Sequence, residues 1–150
     1  MAMLTGKLYD PAVAVTKATT ALLAMTALDT VNLRNVFTVP ANGRCMVRMA
    51  GVIHGATTSP QTLFGVLEGT TVRGRIAPAV VASNLAATSL YAAEALFVVT
   101  GLVAGASLTW DAAYGVETIV AATGIKYGGP NDAATANNAF GGFAFEIWDA

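Results

Sequence analysis

From Leu108 to Glu117 the chain reads LTWDAAYGVE, ten residues that separate cleanly onto two faces. Leu108, Trp110, Ala112, Tyr114 and Val116 fall on one face, and Thr109, Asp111, Ala113, Gly115 and Glu117 on the other. Alternation with a period of two is the pattern of a half-buried β-strand and does not fit an amphipathic helix. The last run repeats it, with Phe143, Phe145 and Ile147 set against Ala144, Glu146 and Trp148. A core strand this close to Ala150 is expected inside a sheet, so that removing it unfolds the domain.

The rest of the chain is consistent with that start. Residues 1–11 read as an arm, broken by Asp10-Pro11 because a residue before proline is pushed out of the helical region. Such an arm is either disordered or laid onto a neighbour. The segment Ala12 to Leu28 mixes helix-favouring Ala, Leu and Met with strand-favouring Val and Thr. It is read as short strands or extended chain, with a helical turn around Ala18 to Met25 as the alternative. Strands are then predicted over Leu33–Val39, Arg44–His54, Thr62–Glu68, Thr71–Ile76, Ala86–Thr100, Ala106–Glu117, Thr118–Tyr127 and Phe140–Asp149. In the second of these, Cys45, Val47, Met49 and Ile53 share a face. Ala86–Thr100 is apolar on both faces, which suits a central strand or one at an oligomer interface. Pro40-Ala41-Asn42-Gly43 and Gly69-Thr70 supply turn geometry. About eight to ten strands at this spacing predict an all-β antiparallel sandwich or barrel, and one domain over 12–150.

Composition adds a tension. Hydrophobic residues are 55% and charged residues 11% of the chain, the latter far below the usual ~25%. A mean hydropathy of +0.59 is high for a monomer in water, even though much of the excess is Ala. The surplus apolar surface either enters a membrane or is covered in an assembly. The membrane option is disfavoured: the longest apolar run, Leu85 to Ala104, carries Glu94, and a spanning helix needs roughly 20 predominantly apolar residues. No signal peptide or lipidation motif is evident, so synthesis in a cytoplasm is expected. A net charge of −1 gives no basic field for nucleic acid. The lone Cys45 excludes an internal disulfide and reads as a buried small hydrophobe.

FTVPANGRCMVRMAGVIHG resembles the opening strands of tumour-necrosis-factor-like and complement-head jelly rolls. LEGTTVRGR, VVTGLVAGASLTWDAAYGVE, KYGGPND and FAFEIWDA resemble phrases of small jelly-roll virion proteins from tailed bacteriophages of actinobacteria and related hosts. The resemblance spans roughly residues 27–150. It implies a two-sheet antiparallel jelly roll with an extended N-terminal arm. It further implies a homotrimer bound to a major capsid protein or a tail scaffold, located in the virion and made in the host bacterial cytoplasm. Capsid decoration is the favoured role. A tail or fibre head that binds host-surface carbohydrate is the alternative.

No catalytic set emerges from the residues, and neither an enzymatic activity nor a cofactor is expected. His54 is the only histidine, and without a second His or a nearby Cys it makes no ordinary zinc site. It reads as a satisfied strand-end residue. Asp111 and Glu117 share a strand face but lie about 20 Å apart at ~3.3 Å per residue, too far to act on one bond. Asp132, Glu146 and Asp149 read as solvated faces and turn caps. Gly128-Gly129-Pro130-Asn131-Asp132 lacks the acidic repeat of a calcium loop and reads as a turn. Arg48, Arg73 and Arg75, with Glu68 and Glu94, lie in apolar strand text. Charges in such text need partners, so they are candidates for cross-strand or intersubunit pairs. Trp110, Tyr114 and Trp148, together with Asn131 and Asp132, are the candidate contacts to a ligand or scaffold, with core packing the plainer reading for the aromatics.

Overall fold

A computed structural model describes residues 1–18, 25–55, 58–59, 62–77, 85–86, 90–116, 124–130 and 142–150. Among these are thirteen strands: β1 (Met3–Tyr9), β2 (Val15–Ala18), β3 (Thr26–Ala27), β4 (Arg34–Thr38), β5 (Cys45–Gly55), β6 (Thr58–Ser59), β7 (Thr62–Glu68), β8 (Thr71–Ile76), β9 (Leu85–Ala86), β10 (Leu90–Val99), β11 (Ser107–Val116), β12 (Gly124–Tyr127) and β13 (Phe143–Asp149). The described residues contain no helix. The eight longest strands form four nested antiparallel pairs: β7 with β8, β5 with β10, β4 with β11, and β1 with β13. This is a long hairpin folded back on itself, the jelly-roll arrangement of an antiparallel β-sandwich.

The first sheet runs β1-β13-β5-β12-β2, with β10 on the opposite side of β5. The second runs β4-β11-β7-β8, with β3 also pairing β11. The core between them is filled by the alternating faces that the sequence displays. Cys45, Val47, Met49 and Ile53 of β5, Phe143, Phe145 and Ile147 of β13, and Trp110, Ala112, Tyr114 and Val116 of β11 are all buried. Phe64 and Tyr127 each meet the Phe143 ring edge to face, with centroids 5.5 and 5.4 Å apart. Such pairs add directional attraction to the area they bury.

Three elements differ from the sequence reading. The N-terminal arm is laid along its own chain: Met3–Tyr9 forms an edge strand on β13, with a register shift between Met3 and Thr5. β13 is therefore an interior strand, between β1 and β5. Second, β10 is not central. Among the described residues it pairs with β5 alone. Third, the strand predicted over Thr118–Tyr127 is described only as β12. The stretch 19–24, where the helical-turn alternative fell, lies outside the described residues.

Both faces of β11 are buried from Trp110 to Val116. The second face is covered because Met25 crosses it and packs with Leu67 and Ala113. Gly65 makes room for this: a Cβ there would lie 2.4 Å from the Gly74 carbonyl oxygen and 2.7 Å from the Met25 sulfur.

Candidate functional site: the outer face of the first sheet

Strand register places the outward side chains of β1, β13, β5 and β10 in rows across the sheet. One row is Met3, Trp148, Met46 and Val98. The next is Gly6, Glu146, Arg48 and Leu96, and the third is Leu8, Ala144, Ala50 and Glu94. The face is thus stepped, with a tall apolar row, a charged row, and a trough of alanines that continues to Ala92 opposite Val52. Met3, Leu8, Leu90, Leu96 and Val98 are 46–67% exposed. Two hollows mark the trough, one lined by Gly6, Leu8, Ala144 and Glu146, the other by Ile76, Ala92, Glu94 and Leu96.

Arg48 occupies the middle of this face. Its Nε donates to Glu94 at 2.5 Å, and one terminal nitrogen lies 3.3 Å from both Glu146 oxygens. The Trp148 indole also donates to Glu146 at 3.1 Å. Arg48 is held above its ordinary pKa, chiefly by its hydrogen bond to Glu94, with Glu146 adding to the effect against partial burial. The candidate pairing of Arg48 with Glu94 is thus made across strands within one chain. Glu146 is a second partner that sequence reasoning left among solvated acids. The signal for it was available, since Glu146 stands between Phe145 and Ile147 in a core strand and needs a cation beside it.

The other candidates lie elsewhere. Glu68 and Arg73 pair across the β7–β8 turn at 3.0 and 3.1 Å, and Glu68 also accepts the Trp110 indole hydrogen at 3.1 Å. The Arg73 bonds, then the indole, hold the Glu68 carboxyl below the ordinary range. Arg75 is exposed on β8 opposite Gly65. Trp110 and Tyr114, considered as ligand contacts, are wholly buried. The Trp110 ring lies edge-on to Phe37, with centroids 4.8 Å apart, and the Tyr114 hydroxyl donates to the Lys17 carbonyl at 2.8 Å. Neither ring is open to a ligand. Trp148 is partly exposed, within the stepped face. Asn131, Asp132 and Glu117 lie outside the described residues.

Asp111 has a partner that the sequence reading missed. Arg34 grips it with two bonds, at 2.7 and 2.8 Å, while the aspartate itself is buried. An aspartate inside the apolar text WDAAY was itself the clue, because a buried carboxylate demands a cation. His54 is buried, with Nε2 3.0 Å from the Gly129 carbonyl oxygen. The Cys45 thiol is buried, and burial together with the nearby Asp149 carboxylate pushes its pKa up to about 11. A thiol so disposed is a poor nucleophile near neutral pH. Among the described residues no group of three His, Cys, Asp or Glu side chains is placed to hold a metal ion. No protein-family model and no curated protein matches this chain.

Proposed function

We propose that this chain is a non-enzymatic structural protein of a bacteriophage virion, a homotrimeric capsid decoration (cement) protein that stabilises the assembled head. The observation that carries the reading is the stepped apolar face of the first sheet. Four strands about 4.8 Å apart, with β10 about 33 Å long, give a face on the order of 500–600 Å². A standard protein–protein interface takes ~800 Å² from each partner, so this face can supply most of one share. Beside it, Ile76 of β8 adds one more apolar side chain, 40% exposed next to Leu96. A face of this kind suits a heterologous contact, in which it rests on a different surface of the next copy. Such contacts close into rings when the rotation permits. The threefold order and the capsid as target come from the resemblance of the later sequence phrases to phage virion jelly rolls. A protein that binds only the assembled shell stabilises it by mass action.

The test is native mass by light scattering after gel filtration at low micromolar concentration, followed by binding to undecorated shells. The expected result is a stable trimer of the 15.3 kDa chain that raises the shell's resistance to heat or chelation. A monomer with no affinity for shells would overturn the reading. If that monomer bound glycans, a carbohydrate-binding tail or fibre head would take its place.

A further inference from the structure

The stepped face carries a charge imbalance at its centre. Arg48 serves two carboxylates, Glu94 and Glu146, so the cluster holds one cation and two anions. Among the described residues no second cation is ion-paired to either carboxylate. β5 contributes only Arg48 among its outward side chains opposite β13, and β13 contributes Glu146. From β1, Lys7 lines the same hollow as Glu146 but makes no ion pair with it among the described residues. From β8, Ile76 and Ala77 share the hollow of Glu94, Arg75 precedes them on that strand, and Arg73 is held by Glu68. Lys126 of β12 lies opposite His54, six residues along β5 from Arg48 and so about 20 Å away.

We infer that the Glu94–Arg48–Glu146 cluster makes self-association of this chain through the outer face of the first sheet acid-tightened, each copy taking up one proton as it is covered. The inference rests on the assembly reading above and adds its regulation. In the single chain the surplus negative charge costs little, because the Glu94 side chain is 58% exposed and water solvates it. Covering the face removes that water. An uncompensated buried carboxylate is expensive, and the cheaper course is to bind a proton. The sign follows from linkage. When the assembled state binds more protons than the free chain, association strengthens as pH falls, by up to about tenfold per pH unit for each proton taken up. One proton leaves Arg48 with a single carboxylate, a balanced pair that can be buried with its geometry kept.

Sedimentation equilibrium of the full chain between pH 7.5 and 5 tests this. Three proteins are compared: the wild type, Glu94→Gln and Leu96→Glu. Glu94→Gln removes the surplus charge and leaves Arg48 with Glu146. The wild type is expected to associate at least tenfold more tightly at pH 5 than at pH 7.5. Glu94→Gln should be tighter than wild type at pH 7.5 and nearly flat with pH. Leu96→Glu should be dissociated at both ends, with an unchanged circular dichroism spectrum. An assembled wild type whose affinity ignores pH, or weakens in acid, overturns the proton linkage and leaves the assembly reading standing. So does a Glu94→Gln protein no tighter than wild type. A wild type and Glu94→Gln that are both monomeric throughout overturn the assembly reading, and the linkage with it.

Discussion

Asn35 is the polar clasp between the two sheets, and its removal should be among the costliest single-atom-group changes outside the aromatic core. It belongs to β4 in the second sheet and is fully buried. Its amide nitrogen donates to the Phe145 carbonyl of β13 at 3.0 Å, and its amide oxygen accepts from the Thr5 hydroxyl of β1 at 2.9 Å. One side chain thus ties the first and last strands of the first sheet to an edge of the second. Asn35→Ala strands two polar groups. Each buried group left unpaired costs about 1–3 kcal/mol. Thr5 is only partly buried and can turn toward water, so the sum falls at about 2–4 kcal/mol. For a domain of this size that lowers Tm by roughly 4–16 °C. The assay is urea unfolding followed by circular dichroism, with the m-value checked for constancy. Thr5→Val and the double variant complete a cycle in which the two changes should be clearly non-additive. A loss below about 0.5 kcal/mol for Asn35→Ala, or strict additivity in the cycle, would refute the clasp.

Further outcomes follow from the same geometry. Gly65→Ala places a methyl group against the Gly74 carbonyl and Met25, and should destabilise by about 1–3 kcal/mol in thermal unfolding while its distant counterpart Gly69→Ala, open on all sides but at positive φ, acts only through backbone strain. Cys45 should resist a thiol reagent in the folded protein at pH 8, where about one part in a thousand of a thiol with pKa near 11 is thiolate, and react at once in urea. Glu68 is held below the ordinary carboxylate range when folded, so its contribution is complete above about pH 4.5 and is lost as pH falls through the lowered value. Glu68→Gln should therefore be less stable than wild type at pH 7, with the gap closing in acid as pH falls through that lowered value in acid-titrated unfolding curves.

The parts of this fold that could be read from sequence are those where one face meets the core and the other meets water. The alternations Cys45–Ile53 and Phe143–Ile147 place every buried side chain on the correct side. β1 was less legible because an edge strand pairs on one side only, and MLTGKLY shows no sustained alternation to mark it. The position of β10 was hidden for a different reason. Its two apolar faces say that both are covered, but not whether the second cover is a sheet of the same molecule or another molecule. Ion pairs were legible as needs rather than as partners. Arg48, Glu94, Glu68 and Arg73 were marked by their apolar settings, while Arg34 and Glu146 could be matched to Asp111 and Arg48 only once register brought them together. For Trp110 the plainer reading, core packing, matches its burial, while its indole's partner, Glu68, sits 42 positions away and was not legible.

The nesting of strands also sets a timetable for folding. The innermost hairpin, β7 with β8, can close as soon as both strands exist, but β5 keeps a bare edge until β13 arrives to lie between it and β1. During synthesis that edge stays unpaired while most of the chain is already outside the ribosome. Pairings of such long sequence separation are slow to form, and an open strand edge is a template for aggregation. The interval before β13 arrives is therefore the one in which the nascent chain is most open to mispairing. It also follows that a chain shortened before Phe143 loses its fold, and that a free peptide FAFEIWD added in trans should restore it by taking its place between β1 and β5.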